Sequence, residues 1–277
     1  MKPFLRHGPY TGKVQAVILD WAGTTVDYGC RGPVAVFLRA FNLHGISPSE
    51  AEAREPMGKE KREHVQTMLC MPRLTECWQT KHGTLPDETA VDMVFNDVQK
   101  LMCETLADYA VPVPGCTDAI AALRRQQIKI GSCTGYNRSM MIHLKEKAAA
   151  LGYQPDAIVT ADEVPQGRPW PWMCQMNCMK LGVHPPESVI KVGDTLADVE
   201  EGLAAGHWSV GVTRTSNAMG LSLDEAELLP SDELRRREEN IGKTFYKAGA
   251  HYVLSSIADL PSLIPEINAR LARGEHP

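Results

Sequence analysis

The sequence predicts an α/β protein: a Rossmann-like, mostly parallel sheet core with an inserted all-helical segment. Two observations predict it. Short apolar runs rich in branched residues recur along the chain, each followed by a stretch of helical spacing, and this alternation builds a parallel sheet with helices on both faces. Between residues 49 and 109 the alternation stops, and helical patterns follow one another with no convincing strand. With 277 residues, 43% of them hydrophobic, the chain is long enough for one full core and a smaller domain.

The elements follow in order. Residues 14–19 suit a strand covered on both faces, and Gly23 allows a tight turn after it. From 33 to 44, Val36, Phe37, Ala40 and Leu43 recur at helical spacing until Gly45 stops the run. The helical stretch holds segments 50–54, 60–69, 74–81 and 88–106, separated by Pro56, Pro72 and Pro86. After Pro114-Gly115 comes a helix over 117–125, with Thr117 placed to cap it, then a strand over 129–133 and a turn at Thr134-Gly135. A helix over 138–151, a strand over 157–160 and a helix over 172–181 follow. The strand 189–192 runs into Gly193-Asp194, and a helix over 197–205 and a strand over 209–212 come next. The tail adds a long polar helix over 232–248, a strand over 252–254 and a helix over 260–271, and the chain has no internal repeat. The dozen residues before the first strand read as an irregular extension.

Net charge is −5, from 29 basic and 34 acidic side chains, with no basic face of the kind nucleic acid requires. Arg235-Arg236-Arg237 is followed at once by Glu238 and Glu239, a solvated helix face. The eight cysteines include no CxxC pair and no structural-zinc spacing. No apolar run near the start precedes a small-residue cleavage site, and no segment approaches a membrane span. The expectation is a cytoplasmic protein with reduced thiols, acting on a small molecule, with neither nucleic acid nor membrane as partner.

Ligands of a doubly wound sheet bind outside the carboxyl ends of its strands. Three predicted strands end there in Asp20, Thr134 and Asp194, and Asp198 lies one helical turn past Asp194. Taken singly, each acid is equally a turn or cap residue. Together, carboxylates from different strands repel unless a cation sits between them, and hard oxygen ligands at a phosphate site favour Mg2+. Arg168, in a loop rich in Gly and Pro, offers a rigid fork of donors to a phosphoryl group, or else pairs on the surface with Asp162 or Glu163. Gly135 and Tyr136 could present backbone N–H groups to the same oxygens.

One residue type is missing. Phosphoryl-transfer enzymes built on such a strand often carry a second acid two residues on, and here that place is Ala22. An alkoxide leaving group would lack its proton donor. Either the activity is lost, or the leaving group needs no proton, or another residue activates it. A lysine condensing with a carbonyl forms an imine, an electron sink that lets a neighbouring P–C bond break. Lys61 is the candidate, with His64 on the same helical face and Met57 one turn earlier. Local sequence alone reads Lys61 as part of a solvated face, leaves Lys59 as an alternative, and reads His7, His44, His64 and His82 as surface or loop histidines.

The stretches VILDWAGTTVDYGC, REPMGKEKREHV, IGSCTGY, PQGRPWPWM and IKVGDTLAD, in this order from residue 17 to residue 198, resemble the phosphonoacetaldehyde hydrolases of the haloacid dehalogenase-like superfamily. The resemblance implies Asp20 as a nucleophile forming an aspartyl-phosphate and Lys61 as a Schiff-base residue. It implies Mg2+ held by Asp20, Asp194 and the backbone carbonyl of Ala22, with Asp198 in support. Thr134 and Arg168 resemble phosphoryl-binding residues, Arg168 standing where lysine is common in the superfamily. Met57, Cys30, His64 and Tyr136 resemble pocket residues. The resemblance also implies a movable helical cap over 30–105 between core parts 1–29 and 106–277, a homodimer formed through that cap, and a role in breaking down 2-aminoethylphosphonate. Cys133, where threonine is frequent, is a slight departure. A phosphatase for C–O–P substrates and a non-catalytic binder of phosphorylated metabolites are the competing readings.

Overall fold

A computed structural model describes residues 8–277. The expected N-terminal extension and His7 fall largely or wholly outside the described residues. The chain enters the sheet with β1 (Ala16–Leu19), whose four residues are all buried. It then runs through five helices before returning: α1 (Arg31–Leu43), α2 (Glu50–Arg54), α3 (Lys61–Leu69), α4 (Pro72–His82) and α5 (Glu88–Thr105). The strandless stretch is therefore the helical insert that the sequence predicts. Ser49, Glu60 and Asp87 cap α2, α3 and α5 with side-chain oxygens, and Met71 precedes a proline-opened α4.

Alternation then resumes with α6 (Cys116–Arg125), β2 (Lys129–Thr134), α7 (Arg138–Ala150), β3 (Ala157–Thr160), α8 (Trp172–Leu181), β4 (Val189–Gly193), α9 (Leu196–Ala204) and β5 (Trp208–Val212). The tail is α10 (Leu223–Leu228), α11 (Ser231–Lys247), β6 (Tyr252–Leu254) and α12 (Leu260–Ala272). Among the described residues six strands pair in parallel in the order β3-β2-β1-β4-β5-β6. The order reverses at β1, between β2 and β4, and this switch point opens a crevice at the strand ends.

Helices cover both faces. Leu19, Ile130, Val192 and Leu263 belong to one apolar cluster that continues into the insert through Phe37, Val65 and Val98. Ile18, Cys133, Val159 and Met173 form a second cluster on the other face, under α8. Two details differ from the sequence reading. Thr117 does not cap α6: the helix starts one residue earlier, after Gly115 at φ 76°, with no side-chain cap. A Cβ at Gly115 would lie 2.7 Å from that of Ala258, so the chain takes the glycine turn there instead. Helix α10 was not expected from its short apolar content, although Ser222 and Glu225 form a capping box that was legible as Ser-x-x-Glu.

Candidate active site

The switch point gathers the polar residues. Asp20 follows β1 and is tied to β4 by its N–H donating to the Val192 carbonyl at 3.0 Å. The next residue, Trp21, turns the other way, buried with its Nε1 donating to Ser132 Oγ and its ring edge-on to Tyr153. Thr134 closes β2 and its Oγ1 accepts from the Tyr136 N–H at 3.2 Å. Asp194 follows β4, and its Oδ2 accepts from the Asn217 N–H at 2.7 Å and the Cys30 thiol at 3.2 Å. Asp198 stands in the first turn of α9, in a capping box with Thr195.

Carboxylate oxygens of Asp20, Asp194 and Asp198 lie within 4.8 Å of one another. Their environments differ. Burial, together with the charges of Asp20 and Asp198, pushes the Asp194 carboxyl well up. Asp20 is also raised by burial, against the pull of Arg168. Burial would raise Asp198 too, but Arg168 and Lys191 hold its carboxyl below the usual range. Lys191 Nζ donates to Asp198 Oδ1 at 2.5 Å, and Arg168 Nη2 stands 3.1 Å from the same oxygen. Asp198 is thus occupied by cations of the protein itself. Asp194 Oδ1 is buried with no partner. The buried cluster of Asp20, Asp194 and Asp198, an all-oxygen donor set with one orphaned carboxylate oxygen, fits Mg2+. Ala22, in the turn after Asp20, borders the same cavity.

Lys61 opens α3, and it is 4% exposed, so the solvated-face reading of this residue is corrected. Its stem is enclosed because α3 starts where the insert meets the core. Gly58, at φ 94°, brings the preceding loop so close that a Cβ would lie 2.4 Å from Thr195 Oγ1. Across the cleft, a Cβ on Gly135 would lie 2.4 Å from the Lys59 carbonyl. Lys61 Nζ rests 4.9 Å from the ring centre of Tyr136 and 5.7 Å from that of Phe37, with Met57 Sδ at 4.0 Å. Burial pushes its amine down to about 8, with the charge of Asp20 opposing. Lys59 instead pairs with Glu63 at 2.8 Å on the half-exposed side of the loop.

Arg168 is also buried, and the surface pairing with Asp162 or Glu163 is corrected. Those acids bind Arg138 and Lys180, whereas Arg168 Nη2 meets Asp20 Oδ1 at 2.6 Å. Cys30, Met57 and Tyr136 line the cavity with Lys61, Thr134, Gly135 and Asp20. The surface reading of His64 is corrected: it is fully buried, one helical turn from Lys61. Its ring stacks on Phe37 at 3.8 Å, its Nε2 is 3.0 Å from the Ala53 carbonyl, and burial pushes it well below the usual histidine range. His44 pairs with Asp97 and is part-buried, while His82 is exposed. Sequence reasoning missed Lys191, Glu201 and Asn217. The signal for Lys191 was a charge inside an apolar strand, and for Glu201 a second acid one turn past Asp198. Asn217, which contributes a backbone N–H, left no signal.

A family model of haloacid dehalogenase-like hydrolases matches residues 14–206. A phosphonoacetaldehyde hydrolase of Nitratidesulfovibrio vulgaris is 53% identical over 277 residues, covering 100% of this chain and 99% of that one. A bifunctional phosphonoacetaldehyde hydrolase/aminoethylphosphonate transaminase of Clostridioides difficile is 44% identical over 93% of this chain, which spans 41% of that protein. The crystal structure of a phosphonoacetaldehyde hydrolase-like protein from Oleispira antarctica superposes with a TM-score of 0.96 at 39% identity, over 100% of this chain and 99% of that one. With its parallel sheet, helical insert and acid cluster at the switch point, the chain belongs to the haloacid dehalogenase-like hydrolases, among the phosphonoacetaldehyde hydrolases.

Proposed function

We propose that the protein hydrolyses the P–C bond of phosphonoacetaldehyde to acetaldehyde and phosphate, through an imine on Lys61 and a phosphoryl group on Asp20. The observation that carries this reading is a buried amine, held near pH 8 by burial, in one cavity with Asp20. Its neutral fraction at pH 7–8 attacks the aldehyde carbon, and uptake of a proton with loss of water gives the protonated imine, the proton being returned when the imine is later hydrolysed. Arg168 and the Thr134-Gly135 turn orient the phosphonate oxygens. Asp20, Asp194 and the Ala22 carbonyl would hold Mg2+, which when bound would neutralise charge on the phosphonate. Asp20 attacks phosphorus, and the P–C bonding electrons move into the imine to give an enamine. With this electron sink no alkoxide leaves, so Ala22 need not be an acid. Protonation of the enamine at carbon and addition of water release acetaldehyde and the free amine of Lys61. A second water cleaves the aspartyl-phosphate. One water is lost in forming the imine and two are taken up, so the net reaction consumes one.

The cavity, about 20 Å³, has room for one water. Substrate entry therefore requires the insert to move, and residues 30–105 act as a cap on a core made of 1–29 and 106–277. Family resemblance supports a homodimer through this cap, and exposed Leu43, Leu85 and Met93 on the insert supply apolar surface for it. Eight free cysteines are in keeping with work in the cytoplasm. The test is borohydride reduction with substrate present. Mass spectrometry should place one adduct on Lys61, and Asp20→Ala should keep the adduct while releasing no phosphate. An adduct elsewhere, or phosphate release from Asp20→Ala, removes the assignment.

A further inference from the structure

Behind Asp20 lie four charged side chains, Arg168, Lys191, Asp198 and Glu201, each 2% exposed or less. Two cations face two anions, so the group is neutral as a set. Arg168 uses every edge of its guanidinium. Nη2 donates to Asp20 at 2.6 Å and the Cys133 carbonyl at 3.1 Å, Nη1 to the Gly58 carbonyl at 3.3 Å, and Nε to Glu201 Oε2 at 2.9 Å. Glu201 Oε2 also takes the Cys133 thiol at 3.4 Å and stands 3.5 Å from Lys191 Nζ, while its Oε1 is buried without a partner.

This seat is built without slack. Asp198 and Glu201 are three residues apart on one face of α9. A Cβ on Gly193 would lie 2.2 Å from that of Asp198, and a Cβ on Gly202 would lie 3.0 Å from that of Lys191. Helix α9 therefore lies hard against β4, which fixes where the Glu201 carboxylate can be. An ammonium at position 168 has one nitrogen to divide between Asp20 and Glu201. A guanidinium has a separate Nε for Glu201, leaving its Nη atoms for Asp20 and the two backbone carbonyls beside the cavity.

We propose that Glu201 is a positioning residue: it clamps Nε of Arg168, fixes the guanidinium plane against Asp20, and makes arginine rather than lysine the side chain required at position 168. The proposal rests on the reading that Arg168 holds the phosphoryl group. Without Glu201, Nε of Arg168 has no partner, and the guanidinium plane is held only through its Nη atoms, by Asp20 and the Cys133 and Gly58 carbonyls.

The experiment compares the full-length wild type with Glu201→Gln, Glu201→Ala, Arg168→Lys and the double variant Glu201→Ala/Arg168→Lys. Affinity for inorganic phosphate is read by calorimetry in Mg2+, beside KM and kcat. Glu201→Gln keeps shape and an acceptor oxygen and is expected to weaken phosphate about tenfold, and Glu201→Ala about a hundredfold, with KM rising in step. The double variant is expected to bind phosphate no more weakly than Arg168→Lys alone, because the clamp has lost its object. Wild-type phosphate affinity in a folded Glu201→Gln, or losses that multiply in the double variant, would overturn the proposal. So would a fall in melting temperature with no change in phosphate affinity, since that is a structural role only. Should Glu201→Ala not fold, Glu201→Gln combined with Arg168→Lys gives the same comparison. Phosphate affinity does not depend on which substrate is correct, so failure of the Lys61 adduct in the wild type is a separate result.

Discussion

Lys61 sits within a run of five charged residues, 59–63, yet its amine is enclosed by Met57, Phe37 and Tyr136. Burial moves its proton affinity from 10.5 to about 8. Adduct formation needs the neutral amine, so the initial rate of borohydride trapping is expected to rise about tenfold per pH unit below 8 and to level off above it. The same shift acts on stability. Between about 8 and 10.5 the unfolded chain holds a proton on this lysine that the folded chain has released, so stability rises with pH across that window. Lys61→Met is therefore expected to raise the melting temperature at pH 7 while abolishing the adduct, read by calorimetry and mass spectrometry. A flat trapping profile between pH 6 and 9 would mean that the reacting amine is elsewhere. None of this was legible locally. Sequence places Lys61 at the start of a helix, but what covers it comes from Phe37 and Tyr136, far away along the chain.

At the scale of elements, the decisive contact is a loop against a loop. The turn before α3 lies so close to Thr195 on one side and to the turn after β2 on the other that only hydrogen fits at Gly58 and at Gly135. Gly58 also has φ 94°, a conformation that side chains with a Cβ rarely adopt. Gly58→Ala is expected to destabilise the chain by about 1–3 kcal/mol and, by moving the start of α3, to lower kcat/KM about a hundredfold. Urea titration and steady-state kinetics check both. Unaltered kinetics would show that the turn does not set the position of Lys61. The glycines were visible in the sequence as turn residues. The close approach of Gly58 to Thr195 and of Gly135 to Lys59 was not, because each glycine looks like an ordinary turn residue until the opposing segment is known.

For the whole molecule, the acid cluster ties folding to a cation. Burial raises both Asp20 and Asp194 above their ordinary 3.8, so the folded chain keeps protons there that the unfolded chain has lost. In the absence of metal, their contribution to stability is full below 3.8 and is lost as pH rises toward the raised folded values. Mg2+ is accordingly expected to raise the melting temperature more at pH 8 than at pH 5, its stabilisation at one hundred times its Kd being about 2.7 kcal/mol. Asp194→Asn should melt higher than the wild type in chelator at pH 8 and respond little to Mg2+. An equal response of both proteins would place the ion elsewhere. The alternation of strands and helices, the strandless insert, the acids at the strand ends and the alanine at position 22 were all determined by the sequence alone, because periodicity and turn chemistry act over a few residues. Only the tertiary structure decided that Lys61, His64, Arg168, Lys191 and Glu201 are buried, and which carboxylates are paired and which is left open. Burial and charge pairing depend on residues up to a hundred or more positions away, and the same polar side chain reads alike in a solvated face and in a sealed cavity.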